Sequence, residues 1–299
     1  MSETDAYVEL RPRLFGIAYR MLGSVSDAED LVQEAYLRWQ RTDQAQVLNV
    51  ESFLTTVVVR LSLDELRSSR RRREQYVGPW LPEPLLVDDN DPSAAAELAD
   101  SLSMAFLVVL EALAPAERAA FLLHEVFGYD YDAISTMLDK QPATCRQLVS
   151  RAKRHVGERR QRYDADRRRG LELAREFQTA CATGDIDAVM ALLSDDATCW
   201  TDGGGVVRAA RRVIVGARKV ARFLIAVTPT IPPTAQMHEA IVNGQPGTVV
   251  TDGGAVILTV AYDVLDGRIT GVRVVSNPEK LTALRVPVED VQGRFGHFD

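Results

Sequence analysis

Apolar residues recur at helical spacing from Tyr7 to about Met21, with Val8, Leu10, Leu14, Phe15, Ile17, Ala18 and Met21 on the repeat, and Gly23 supplies a stop. A second helix starts at once: Ser26 and Glu29 form a capping-box pair, and Ala28, Leu31, Val32, Ala35, Tyr36 and Trp39 make a stripe opposite Asp27, Asp30, Gln33, Glu34 and Arg38. A third, from Glu51 to about Ser69, carries Phe53, Leu54, Val57, Val58, Leu61 and Leu66 and runs into a cluster of arginines. Between Tyr76 and Pro92 the prolines bar a regular helix, which leaves either a stiff extended spacer or a segment whose Trp80 and Leu81 dock on another domain of the same chain.

Helical periodicity resumes from Ala94 through Leu113, and Pro115 opens the next helix, which stops at Gly128. A short helix near Asp130 to Leu138, a tight break at Asp139 to Gln141 and a helix from Pro142 past His155 give helix, turn, helix. The last of these turns Leu148, Val149 and Ala152 inward and leaves Arg146, Gln147, Ser150, Arg151 and Arg154 outward. Beyond Arg169 come two helices, to Gly184 and over Ile186 to Leu193. Strand signals follow at 198–201, 235–242, 248–251, 255–264 and 269–275, separated by Asp-Gly and Asn-Gly turns. Helices first and strands later predict an α+β unit in which a curved antiparallel sheet wraps a helix.

With 299 residues the chain is long enough for more than one domain, and no apolar run approaches a membrane span, so a cytoplasmic protein without membrane contact is expected. Three scattered cysteines, Cys145, Cys181 and Cys199, offer neither a disulfide framework nor a zinc site, and no motif asks for a metal or cofactor. The formal net charge is −7, yet the cations are concentrated. Arg67, Arg70, Arg71, Arg72 and Arg73 form one island; Arg146, Arg151, Lys153, Arg154, Arg159, Arg160 and Arg162 form another. Such islands in an acidic chain are the electrostatic footprint of a nucleic-acid partner or a solvated helix face. In a helix-turn-helix, Arg146, Gln147 and Ser150 reach base edges while Arg151, Lys153 and Arg154 hold phosphates.

These residues resemble the extracytoplasmic-function sigma factors, in particular the SigJ-like subgroup with a fused C-terminal SnoaL-like domain. Ser26 to Ala35 looks like the polymerase-binding helix, Phe53 to Arg67 like the segment that opens and reads the minus-ten element, and Leu113 to Arg118, Phe127 to Tyr131 and Arg146 to Leu148 like sigma domain 4, which reads the minus-thirty-five element. The subgroup marks are Trp80-Leu81-Pro82-Glu83-Pro84, Asp202-Gly203-Gly204-Gly205 and Asn277-Pro278-Glu279-Lys280-Leu281; Arg60, Asp139 and Glu279 depart from the usual residues. The resemblance implies a multi-domain fold: two all-α sigma domains, the second with the helix-turn-helix, plus an α+β SnoaL-like cone. Its divisions are sigma domain 2 at 1–73, a Pro-rich linker at 74–92, sigma domain 4 at 93–163 and the cone at 164–299.

By the same resemblance the chain is no enzyme but binds core RNA polymerase and promoter DNA, with the cone modulating its activity in place of a separate anti-sigma protein. It assigns polymerase binding to Asp27, Asp30, Gln33 and Glu34, and minus-ten contacts to Arg60, Asp64, Arg67, Arg70 and Arg71. Minus-thirty-five contacts go to Arg146, Gln147, Ser150, Arg151, Lys153 and Arg154. An interdomain regulatory role goes to Trp80, Leu81, Pro82, Asp202, Gly203, Gly204, Gly205, Asn277, Pro278, Glu279, Lys280 and Leu281. The alternative is a cone that senses an unknown small molecule in its cavity or keeps cyclase or isomerase chemistry, with Asp202, His238 and Trp200 as the candidate side chains.

Overall fold

The computed structural model describes residues 3–43, 47–86, 102–157 and 167–284. The chain divides into two compact units, one of residues 1–75 with 106–160 and one of residues 76–105 with 161–299.

The first unit is all helical. It contains α1 (Glu3–Leu22), α2 (Val25–Arg41), α3 (Val50–Glu74), most of α4 (Met104–Glu111), α5 (Pro115–Phe121, prolonged by a π turn over Leu122–Val126), α6 (Tyr131–Leu138) and α7 (Pro142–Gly157). The expected helix start at Ala94 lies outside the described residues, as does the chain from there to 101. The Gly23 amide closes α1 on Tyr19 O at 2.7 Å. The cap of α2 differs from the sequence reading: Ser24, not Ser26, accepts from Asp27 N at 3.1 Å, because the helix begins earlier in the Ser-Val-Ser run. Leu14, Ile17, Ala18, Ala28, Val32, Leu54 and Val58 form the buried seam among the first three helices. Arg118 is buried within this unit, donating to Met21 O at 2.6 Å and pairing with Glu111 at 2.8 Å.

The second unit sets α8 (Arg167–Thr183), α9 (Ile186–Leu192) and α10 (Ala217–Val227) against a six-stranded sheet and adds the short α11 (Pro278–Leu281). The strands are β1 (Leu193–Asp202), β2 (Ile214–Val215), β3 (Gln236–Val242), β4 (Gln245–Asp252), β5 (Ala255–Leu265) and β6 (Arg268–Val275), in spatial order β2-β1-β6-β5-β4-β3. Leu173, Phe177, Val189, Ala197, Cys199, Val220, Tyr262 and Val272 share the core between helices and sheet. β3 to β6 form a meander in which the hairpins at Asn243-Gly244 and Asp266-Gly267 turn on two residues each. Asn243 and Asp266 stand at φ near 50° in the first position, as the Asn-Gly and Asp-Gly pairs predict.

The sheet is not purely antiparallel. β1 pairs with β6 in parallel, Cys199 opposite Val272 and Asp202 opposite Val275. Turn residues announce pairing between consecutive strands only; the first strand meeting the last is a long-range event that no local signal records. The three cysteines are free and buried, and burial pushes the Cys181 and Cys199 thiols up to about 12, which keeps them protonated at neutral pH.

Candidate polymerase, nucleic-acid and strap sites

In the helix-turn-helix, Asp130 caps α6 by accepting from Ala133 N at 2.7 Å. Asp139 ends that helix at φ 52°, ψ 53°, a left-handed conformation that a short polar side chain tolerates where the resemblance has glycine. Cys145, Val149, Ala152 and Val156 bury one stripe of α7, and Leu148 is half-buried. The opposite stripe, Arg146, Gln147, Ser150, Arg151, Lys153 and Arg154, is exposed throughout. The Arg146 guanidinium lies 5.3 Å from the Tyr131 ring centre, and Lys153 pairs with Glu125 at 3.0 Å, a partly exposed contact worth at most about 1 kcal/mol. Five cationic or amide groups and a hydroxyl on one rigid helix can therefore turn to a DNA groove at little cost.

On α2, Ala28, Val32, Ala35 and Trp39 are buried, Asp30 and Gln33 are exposed and Asp27 is half-buried in the first turn, where the helix dipole favours an acid. Glu34 is half-buried and pairs with Arg38 one turn on at 2.8 Å. Along α3, Asp64 and Arg67 pair with each other at 2.8 Å on the surface. Arg60 is exposed, and its guanidinium donates to Thr136 O at 3.2 Å and Met137 O at 3.3 Å, the open carbonyls at the end of α6. The side chains of Arg70 and Arg71 lie outside the described residues.

Tyr129 stands out in the sequence only as part of a motif, yet it joins three elements. Its hydroxyl donates to Glu51 at 3.0 Å, accepts from Arg13 at 3.2 Å and shares a 3.2 Å hydrogen bond with Thr55. The Phe-Gly-Tyr motif is the available signal; partners more than seventy residues away are not readable from it.

The third cluster lies within the second unit, where the stretch Tyr76 to Leu86 acts as a strap. Asp202, fully buried at the end of β1, accepts from Tyr76 OH at 2.5 Å and Gly204 N at 3.1 Å on one carboxylate oxygen. The other oxygen accepts from Leu81 N at 2.8 Å and the Lys280 ammonium at 2.7 Å. Lys280 also donates to Leu81 O and sits 4.4 Å from the Trp80 ring centre and 4.9 Å from that of Tyr76. Asn277 donates to Tyr76 OH at 2.9 Å and accepts from Glu279 N at 3.1 Å, so that Pro278 opens α11 with its first turn capped. Gly204, at φ 63°, passes so close that an added Cβ would stand 2.4 Å from the Asn277 amide. Desolvation, then the hydrogen bond to Asp202, holds the Tyr76 phenol well above its ordinary value. Four residues after Leu81 the strap is fixed again: Leu85 N donates to Asn243 Oδ1 at 3.0 Å, Asn243 N donates to Leu85 O at 2.7 Å, and Leu86 bridges Val242. Pro82, Pro84 and Leu81 are buried along this path, so Trp80 and Leu81 belong to a docked segment rather than a solvated spacer.

The geometry brings together Trp80, Leu81, Asp202, Gly204, Asn277 and Lys280 from three separate sequence motifs, and adds Tyr76, which no motif marks. It does not bring together the candidate catalytic trio. Asp202 ends β1 and is saturated by four donors, whereas His238 lies in β3, four strands away or about 19 Å along the sheet, bonded to Thr251 at 3.0 Å. Trp200 is half-buried on β1. Among the described residues no shared proton path links the three.

The sequence matches the Sigma-70 region 2 family over residues 6–72 and the Sigma-70, region 4 family over residues 103–156. It is 37% identical over 292 residues to the ECF RNA polymerase sigma factor SigJ of Mycobacterium tuberculosis, covering 94% of this chain and 93% of the relative. It is 33% identical over 282 residues to the probable ECF RNA polymerase sigma factor SigI of the same species, covering 92% and 93%. The crystal structure of the M. tuberculosis extracytoplasmic function sigma factor SigJ matches with a TM-score of 0.75 at 35% identity, over 94% of this chain and 98% of that one. Among the described residues no helix is long and apolar enough to cross a membrane. With both sigma regions in order, the helix-turn-helix formed and the likeness running through the C-terminal cone, the chain belongs to the extracytoplasmic-function RNA polymerase sigma factors.

Proposed function

We propose that the protein binds core RNA polymerase through the acidic face of α2 (Asp27, Asp30, Gln33, Glu34), recognises a minus-ten element with the C-terminal half of α3, and reads a minus-thirty-five element with α7. Its working place is then the cytoplasm, with the polymerase. The observation that carries this reading is the exposed stripe of α7, where Arg146, Gln147 and Ser150 stand ahead of Arg151, Lys153 and Arg154 on a helix whose other side is buried. Arg and Gln suit bidentate contacts to guanine and adenine, and the cations beyond them suit phosphates. Arg60 joins the minus-ten contacts only once it leaves the α6 carbonyls, so promoter engagement includes the loss of those two hydrogen bonds.

The cone modulates this activity, and the strap is its means. Tyr76 to Leu86 follows directly on α3, and the Asp202–Lys280 pair holds it to the cone by backbone as well as side-chain bonds. A change in that grip alters the chain immediately next to the minus-ten region. The test is transcription in vitro: core polymerase with the full chain initiates at a fixed start on DNA from upstream of the protein's own gene. Absence of polymerase binding and of any specific start would reject the assignment. Trp80→Ala and Lys280→Met shift the transcript yield relative to the intact chain; equal yields from all three would remove the strap's role.

A further inference from the structure

Beyond the two basic islands of the helical regions, a third lies in the cone. From Gly203 to His238 the chain contains no acidic residue, and within it stand Arg208, Arg211, Arg212, Arg218, Lys219 and Arg222. All six are exposed, and among the described residues none has an ion-pair partner. The edge strand β2 orders them in space. It runs antiparallel to β1 with Ile214 opposite Cys199 and Val215 opposite Thr198, so Arg208 to Arg212 lie toward one end of the sheet edge while Arg218, Lys219 and Arg222 follow on α10 at the other. β1 brings Asp195 and Asp196 beside the start of α10, where Gly216 N donates to Ala197 O, and among the described residues neither pairs with the cations.

The helix itself does not benefit from these charges. Arg218 and Lys219 occupy the first turn of α10, the end where the helix dipole disfavours cations, and Gly216 supplies no side-chain cap. Six exposed cations on one edge, without ion-pair partners among the described residues, in a chain of net charge −7 fit an anionic partner.

Composition narrows that partner. Residues 203–222 contain only Gly, Ala, Val, Ile, Arg and Lys. That stretch holds no aromatic residue on which an unpaired base could stack, and Phe223, next on α10, packs against the core, which disfavours single-stranded DNA or RNA. No Asn, Gln, Ser or Thr is available to read base edges alongside the arginines, and no large aromatic or leucine anchor suits a lipid interface. What remains is phosphate recognition, for which the forked guanidinium is well shaped. We propose that the β2–α10 edge of the cone is a sequence-independent binding surface for the phosphate backbone of duplex DNA, additional to the contacts of the helix-turn-helix.

The test compares the intact full-length chain with an Arg211→Gln, Arg212→Gln, Arg218→Gln, Lys219→Gln variant and with a charge-preserving variant bearing Arg211→Lys, Arg212→Lys and Arg218→Lys. Thermal unfolding confirms that each is folded. Binding to a labelled 40-base-pair duplex without a promoter is followed by anisotropy across a salt series. For the Gln variant the slope of log K against log salt becomes shallower by about 0.9 for each phosphate no longer neutralised, and low-salt affinity falls at least about tenfold. The Lys variant keeps most of both. Unchanged slope and affinity in the Gln variant overturn the proposal. So does a loss confined to single-stranded RNA or to phosphatidylglycerol vesicles, which would assign the edge to one of those partners. Binding to core polymerase, measured on the same proteins, separates this inference from the sigma-factor reading: failure there rejects the reading and leaves the duplex measurement standing.

Discussion

The Lys280 ammonium has a carboxylate at 2.7 Å, a backbone carbonyl and two aromatic faces around it, and its side chain is only 9% exposed. Asp202 opposite is wholly buried, and that cation and the three neutral donors at Tyr76, Gly204 and Leu81 stand around its carboxylate in place of water. Lys280→Met keeps the volume and removes the charge, leaving Asp202 uncompensated, a loss of about 3–5 kcal/mol by the usual cost of breaking a buried pair. The double variant Asp202→Asn with Lys280→Met recovers more than half of it, since no charge is then left in the interior. Hydrogen exchange at the β1 and β6 amides reports this unit directly; exchange unchanged by Lys280→Met would show that the pair contributes nothing to stability. In the sequence these residues stand 78 positions apart in two short motifs that family resemblance singles out, while hydrophobic patterning is silent about them. Neither shows that the motifs meet, nor that Tyr76 completes the cluster, because a polar contact between distant segments leaves no periodic trace.

Elements are far more legible than contacts. The repeat of apolar residues locates α1, α2, α3, α6 and α7 to within a few positions, since each buries one stripe, and the Asn-Gly and Asp-Gly pairs locate the hairpins. The same patterning misses the parallel β1–β6 pairing and the edge strand β2, only two residues long and without a pattern of its own. For α7 the stripe gives a direct prediction. Arg151 is exposed and, among the described residues, has no ion-pair partner, so Arg151→Ala leaves the fold intact and makes the salt dependence of binding to a minus-thirty-five duplex shallower by about 0.9. Arg146→Ala, which also removes the contact with Tyr131, relaxes discrimination at one base pair by about 1–3 kcal/mol. Binding titrations on matched and single-substituted duplexes measure both. An Arg151→Ala slope equal to that of the intact protein would place another face of the helix against DNA.

At the scale of the molecule, the division of the chain does not follow its linear order. Residues 76–105 belong to the same compact unit as 161–299, although the helix-turn-helix is threaded between them. The strap contributes main-chain bonds at both ends, to Asp202 and Asn243, and its buried Leu81, Pro82 and Pro84 add apolar area that an isolated C-terminal segment would expose. The cone is therefore incomplete without a segment that precedes it by some eighty residues. A protein of residues 161–299 made alone has an empty strap site, and a synthetic peptide of residues 75–87 fills it. Calorimetry detects saturable binding of that peptide, and the complex unfolds at a higher temperature than the fragment, as expected for any ligand that binds only the folded state. The same peptide with Trp80→Ala and Leu81→Ala loses the indole face over Lys280 and the buried leucine, and binds at least about tenfold more weakly, equivalent to about 1.4 kcal/mol or more. If the fragment is folded and ignores the unmodified peptide, the strap is held only by its covalent neighbours, and a change of grip on the cone could not carry a signal to the minus-ten region.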